Sequence, residues 1–466
     1  MLEKFIISRI KAEIPFIPNE EKEALFDELG RFLVSPTPHK CFVLKGYAGT
    51  GKTSVVSALV RAWEKLQQTC VLLAPTGRAA KVLARYSGYN AFTIHKWIYR
   101  QDSALQQTFS LAENKFTNAL FIIDEASMIG ADRDASAFGS GSLLDDLVRY
   151  VYSGQGCSML LLGDDAQLPP VGAGESKALD PVFLTGYGLH VATFTLTQVA
   201  RQALDSGILR NATALRQQLA AGIYTPHITP DNDLIKISGT QVQELLERSY
   251  AEAGDEETIV LTRSNKRTNL YNNGIRAQIL WKEDILSNGD RLMISRNNYF
   301  WTQNYDNLPF LANGDICEVV RLRHEHEMYG YRFVTASLRL VDYDWEVDAL
   351  VWIDTLLTDS PEKNFELQQD LFAKIAADYP EIRNKRDLMK MIRANEYYNA
   401  LQVRFAYAVT CHKAQGGQWK RVFIDPGAIF TSDKSQTTDN PPQKDDLRWL
   451  YTALTRATER VYILME

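Results

Sequence analysis

Gly46-Tyr47-Ala48-Gly49-Thr50-Gly51-Lys52-Thr53 decides the fold. It fits G-x-x-x-x-G-K-[ST] without mismatch, after an apolar run at 41–44 and before a helical stretch at 52–65, the context that a phosphate-binding loop requires. The glycines let backbone N–H groups curl around phosphate oxygens, and the helix N-terminus adds a favourable dipole. Gly46, Ala48, Gly49, Thr50, Gly51, Lys52, Thr53 and Ser54 are the expected nucleotide-binding residues. Lys52 is expected to reach the β- and γ-phosphates of ATP, and the Thr53 hydroxyl to ligate Mg²⁺.

Downstream, Leu120-Phe121-Ile122-Ile123-Asp124-Glu125 reads as an apolar strand ending in two acids. Alone, such a pair is a solvated strand end. Beside a phosphate-binding loop, Asp124 is placed to hold Mg²⁺ through water, and Glu125 to orient and deprotonate an attacking water. Phosphoryl transfer then needs positioning and cations for the developing charge.

Further apolar runs at 70–74, 159–162, 259–261, 422–424 and 461–464 read as buried parallel strands, too short for helices. Helical segments between them imply an α/β architecture. Four runs precede residue 165 and three follow 255, so two α/β domains are expected. Between them, twelve aromatics fall from Trp281 to Trp352, and alternating stretches at 331–340 and 345–351 with an Asn313-Gly314 turn suggest a small antiparallel barrel. Residues 362–400 return to a charged helical pattern, and 432–446 reads as a polar surface loop. At roughly 150 residues per domain, 466 residues suit about three domains.

Composition excludes several classes. No run approaches the ~18 apolar residues of a membrane span, and the start lacks a signal-peptide pattern. Five scattered cysteines without a C-x-x-C pair argue for a reducing, cytoplasmic compartment. His324-Glu325-His326 places two histidines on one strand face, but with no third ligand visible no zinc is assigned. The net charge of −6 and a pI near 5.8 argue against a nucleic-acid partner.

The motif series overrides that last inference. It comprises Ala74-Pro75-Thr76-Gly77-Arg78, Thr93-Ile94-His95-Lys96, Gly163-Asp164-Asp165-Ala166-Gln167-Leu168-Pro169-Pro170, Leu196-Thr197-Gln198-Val199-Ala200-Arg201, Thr410-Cys411-His412-Lys413-Ala414-Gln415-Gly416 and Tyr451-Thr452-Ala453-Leu454-Thr455-Arg456. In this order they resemble motifs Ia, Ib, III, IV, V and VI of superfamily 1B DNA helicases, the RecD-like and Dda-like branch, over nearly the whole chain.

The resemblance implies two recA-like P-loop NTPase domains with parallel sheets and an SH3-like β-barrel insert in the second. The first would span 1–190 with a short strand-separating pin near 97–117, the second 191–281 and 401–466, and the insert 282–400. It implies ATP- and Mg²⁺-dependent 5′→3′ movement on single-stranded DNA and unwinding of forked duplex DNA, with no membrane partner. Gln167 would sense the γ-phosphate, with Arg201 and Arg456 as arginine fingers. Pro75, Thr76, Gly77, Thr93, His95, Thr410, His412 and Lys413 would line the DNA groove, with a basic track near Lys81, Lys96 and Lys413. Thr93 and His95 have a plainer reading as a helix cap and a satisfied histidine.

Two positions depart from the family pattern. Glu21 stands where an adenine-reading glutamine is expected, and Gln418 where many relatives carry an acid near the ribose. The pin is expected as a hairpin over 108–116, turning at Glu113-Asn114, with Phe109 or Phe116 available to stack on a base or simply packed in the core. A P-loop switch acting on a protein partner is the alternative from another class, and an RNA-tracking helicase is a narrower one. The switch leaves Gln167, Arg456 and the His412-Lys413 turn without a role.

Overall fold

The computed structural model describes residues 1–103, 108–132, 139–199, 205–305, 308, 310–342, 345–358, 361–430 and 442–465. Two parallel sheets and one closed barrel organise them. The first sheet runs Ala91–Thr93, Cys70–Ala74, Leu120–Ile123, Ser158–Gly163, Lys40–Gly46, His190–Leu196. The second runs Ala408–Thr410, Thr258–Thr262, Trp419–Asp425, Ala457–Leu464, Leu234–Ile237. Inner strands such as Leu120–Ile123 and Ser158–Gly163 are buried along their whole length, as parallel strands covered by helices on both faces must be.

The barrel closes through Arg291–Ile294, Ile316–Met328, Tyr331–Leu340, Trp345–Trp352 and Leu401–Phe405. Its last two strands are parallel, so the chain must cross over between them. Helices Pro361–Ala377 and Lys385–Ala394 make that crossover and pack a separate aromatic cluster around Phe333 and Trp352.

Two boundaries move. His190–Leu196 pairs with Lys40–Gly46 in the first sheet, so that unit continues past 190, and Leu401–Phe405 belongs to the barrel, past 400. The pin also differs. Tyr99–Ser103 pairs antiparallel with Thr108–Leu111, so the hairpin reverses between those strands and not at Glu113-Asn114. Asn114 is instead buried, its amide donating to the carbonyls of Tyr150 and Val151 at 3.0 Å and its carbonyl accepting the Phe116 N–H. Phe109 packs on Tyr299 (4.7 Å between centroids) and Phe310, and Phe116 on Trp97 and Phe121, so both rings serve packing.

His324 sits at a register shift of its strand with φ 44°, so the alternation that would put it on the same face as His326 is broken there. The His326 ring lies against the Tyr397 hydroxyl at 3.2 Å. The five cysteines are free thiols. Among the described residues, no helix is long and apolar enough to cross a membrane. Most of the 432–446 stretch and Arg201 lie outside the described residues.

Candidate active site

Gly49 and Gly51 take φ 75° and 86°, left-handed conformations that strain any residue with a Cβ. The loop therefore bends tightly into helix Lys52–Lys65. A cavity of about 550 Å³ opens at the carboxyl ends of the first sheet, where open α/β sheets hold ligands. Ala48, Gly49, Gly51, Lys52, Thr53, Ser54, Asp124, Glu125, Gln167 and Arg456 all line it. Gly46 and Thr50 do not: Thr50 is buried, its hydroxyl donating to the Tyr47 carbonyl at 2.8 Å. Lys52 lies over the loop, its ammonium donating to the carbonyls of Gly46 and Tyr47.

The two carboxylates carry opposing influences. Burial raises the pKa of Asp124, offset by the Glu125 N–H at 2.8 Å and by Lys52. Burial likewise raises Glu125, offset first by Arg456, whose guanidinium is 3.9 Å away. Glu125 also has φ 49°, an unfavourable conformation for a non-glycine residue of the kind that persists at functional sites.

Residues of the second sheet's unit complete the cavity. Arg456 is 4% exposed and donates to the carbonyls of Thr452 (3.1 Å) and Gly417 (3.3 Å). The Tyr451 hydroxyl donates to Asp164 (2.6 Å) and accepts the Ala48 N–H (2.9 Å), tying the phosphate loop to helix Lys444–Leu454. Leu168, beside Gln167, donates its N–H to the Thr452 hydroxyl at 2.9 Å. Gln167 itself is buried, and its side-chain carbonyl has no hydrogen-bond partner among the described residues. Asp164, Tyr451 and Thr452 were quoted within motifs in the sequence but not singled out; their pairing across more than 280 residues has no local signature.

The departures acquire partners. The Glu21 carboxylate accepts from the Thr197 N–H (2.8 Å), the Thr197 hydroxyl (2.7 Å) and the Gln198 N–H (3.0 Å), clasping the segment that leaves the first sheet. Gln418 lines the cavity and accepts from the Tyr86 hydroxyl at 3.3 Å.

A second cavity, of about 280 Å³, gathers Pro75, Thr76, Gly77, Thr93, His95, His412 and Lys413. Thr410 ends the adjoining strand and is not among the lining residues. Thr76 and Thr93 cap helices, accepting the N–H groups of Ala79 and Lys96, which leaves each hydroxyl its own proton to donate. Burial lowers the His95 pKa to about 4, so this ring is neutral near pH 7 and offers the groove no positive charge.

The charge of this groove is mixed. Arg78 stacks on Trp419 (4.2 Å), Lys81 donates to the Val341 carbonyl, and Asp315 and Asp342 share the wall. Neighbouring residues serve both cavities: Gln415 lines the groove and Gly416 the nucleotide cavity. Gln415 donates its amide to the Leu168 carbonyl at 2.7 Å, one residue from Gln167.

An AAA domain family matches residues 33–229, and the UvrD-like helicase C-terminal domain matches 405–464. An uncharacterized protein of Acanthamoeba polyphaga mimivirus is 24% identical over 96% of this chain and 100% of its own length. The ATP-dependent DNA helicase dda of Enterobacteria phage T4 is 24% identical over 84% of this chain and 88% of its length. The ATP-dependent RecD2 DNA helicase of Deinococcus radiodurans is 31% identical over 43% of this chain, a match that spans a quarter of that protein. The two domain families lie in the order of the motif series, and the relatives include ATP-dependent DNA helicases, which is consistent with a superfamily 1B helicase.

Proposed function

We propose that this chain is an ATP-dependent DNA helicase that moves 5′→3′ on single-stranded DNA and opens forked duplex. One observation carries the reading: Gln415 and Gly416 are consecutive, yet one lines the groove and the other the nucleotide cavity, and Gln415 holds the loop that carries Gln167. A change in the Gln167 loop during hydrolysis therefore displaces the groove wall by rigid contact. In this reading the first recA-like unit runs through Leu196, and the barrel with its two helices is an insert at 291–405 in the second.

Lys52 pairs with the terminal phosphates, Glu125 accepts the proton of the attacking water, and Arg456 reaches the developing charge from the opposite unit. Thr53 and Asp124, a hydroxyl and a half-buried carboxylate on one cavity wall, have donor chemistry that fits a hard divalent cation and would hold Mg²⁺. When bound, that ion neutralises charge on the phosphates. In the groove, the Thr76 and Thr93 hydroxyls and Lys413 suit phosphate contacts that read no sequence.

Unwinding of tailed duplexes tests the reading. The native chain is expected to open a 5′-tailed duplex with ATP, to leave 3′-tailed and blunt duplexes closed, and to lose activity on Lys52→Ala. A preference for the 3′ tail would reverse the polarity, and an ATPase unresponsive to single-stranded DNA would remove translocation. An RNA-tailed duplex in the same assay identifies the track.

The groove also predicts a pH dependence. Lys413 is exposed to the groove, but the protein crowded around its ammonium, then repulsion from Arg404, pushes its pKa down to about 8. The charged form prevails below that value and is lost above it, so affinity for a fluorescent oligo-dT is expected to fall by about tenfold between pH 7 and pH 9.5, the worth of one charge-assisted hydrogen bond. Lys413→Arg keeps its charge and should flatten the profile; an unchanged slope would remove Lys413 from the contact.

A further inference from the structure

The groove does not stop at Lys413. Lys413 and Asn313 also line a third cavity, of about 990 Å³, set between the barrel and helix Pro361–Ala377. That is the upper end of the ~300–1,000 Å³ typical of ligand sites. Apart from Lys413, none of the residues read as functional in the sequence lies in it.

Its walls differ in chemistry. On one side stand Arg296, Arg404 and Lys413, none of whose side chains makes a hydrogen bond or ion pair among the described residues. Arg404 and Lys413 repel each other, and Glu362 is the acid whose charge reaches Arg404. The Arg404 Nε and the Ser295 Oγ are both buried, and neither has a hydrogen-bond partner among the described residues. Native proteins seldom leave such atoms unpaired, and two of them on one cavity wall beside unpaired cations mark a place for an anion. On the other side, helix Pro361–Ala377 presents Phe365, 63% exposed, beside Phe372 and Tyr398, which are half-buried and pack on each other. An exposed ring with two more aromatic rims, facing unpaired cations, is the complement of a nucleotide, with phosphate on one wall and bases on the other.

We infer that this chamber is a second subsite for single-stranded nucleic acid, in which Arg296, Arg404 and Ser295 bind phosphate while Phe365 and Tyr398 stack bases, so that the strand passes from the groove over the barrel insert. The inference rests on the helicase reading and extends it, because the shared residues Lys413 and Asn313 make the two cavities one path. Base stacking tolerates any sequence, as a translocating enzyme requires.

Binding of the full chain to fluorescent oligo-dT of increasing length tests this. Native affinity is expected to rise in two steps, the first when the groove is filled and the second when the oligonucleotide reaches the chamber. Arg296→Gln and Arg404→Gln should remove the second step, weakening long oligonucleotides about tenfold each. Each should also make the salt dependence shallower by about 0.7 per lost phosphate contact, while short oligonucleotides bind as before. Phe365→Ala, on an exposed helix face where the fold is not at risk, should weaken long oligo-dT about tenfold and leave an oligonucleotide with abasic sites in its distal part unaffected.

Equal losses at every length, or none at any length, would overturn the chamber while leaving the helicase reading intact. Failure of the native chain to bind any oligonucleotide would overturn both.

Discussion

Replacing Arg456 by alanine is expected to lower DNA-stimulated ATP turnover by about 10³–10⁵-fold, the range of a lost arginine finger. The guanidinium reaches the nucleotide cavity from the second unit and lies 3.9 Å from Glu125. Its remaining donors hold carbonyls of its own unit, Thr452 and Gly417. The fork is therefore held in one orientation by its own unit, and in the proposed cycle the charge it brings to the cleft depends on the two units closing. Removing it leaves the Thr452 carbonyl in the last turn of helix Lys444–Leu454 and the Gly417 carbonyl in the loop before strand Trp419–Asp425 to find water, so a cooperative melt is expected to survive. Arg456→Lys separates charge from geometry: it keeps the cation but loses the fork, and it should recover only a small part of the rate. Steady-state ATPase at saturating oligo-dT makes the measurement, and near-normal turnover in a folded Arg456→Ala variant would refute the role.

Glu125→Gln should reduce turnover by about 10²–10⁴-fold, the usual contribution of a general base, with nucleotide binding retained because Lys52 and the loop amides are untouched. Glu125 also bears two local costs, a half-buried carboxylate whose pKa is raised by desolvation and a backbone at φ 49°. Glycine at this position relieves both. Glu125→Gly is therefore expected to be equally inactive yet more stable than the native chain, by about 1 kcal/mol from the backbone alone. Thermal melts of the two variants beside their ATPase rates check this. A Glu125→Gly variant less stable than the native chain would show that the carboxylate stabilises the fold through Arg456 rather than straining it.

The strands of the two parallel sheets that were missed in the sequence share one property. The seven apolar runs were all found as strands, while Ala91–Thr93, His190–Leu196, Leu234–Ile237 and Ala408–Thr410 were not. These four are the edges of the two sheets. An edge strand is covered less completely, so its residues alternate or turn polar, as the exposed and half-buried positions of His190–Leu196 do. The boundary placed at 190 was wrong for this reason, since the strand that extends the first unit has no apolar run to announce it.

Side-chain placements divide in the same way. That Lys52, Thr53, Asp124 and Glu125 meet at one cavity was legible because strand, loop and helix follow one another within a few residues, and local backbone rules place those groups at a strand's carboxyl end. Phe109 and Phe116 were not legible. An aromatic ring in a hairpin stacks on a base or on a neighbour, and Tyr299, the neighbour that claimed Phe109, lies 190 positions away. His95 keeps its place in the groove but not the positive charge of a phosphate-binding histidine, because burial decides its protonation and burial is a property of the assembled walls. Glu21 likewise found three donors at Thr197 and Gln198, which nothing near it in the chain foretold.

The amino-acid order by itself determined the phosphate-binding loop, the parallel cores and the barrel, because glycine conformations and apolar periodicity act over a few residues. Tertiary structure alone decided that Gln415 and Gly416 join groove to nucleotide, that Tyr451 bridges Ala48 and Asp164, and that Arg404 and Ser295 face an open chamber unpaired. Those facts depend on which distant segments meet, and a polar atom's partner is settled only when the surfaces that exclude water from it have closed.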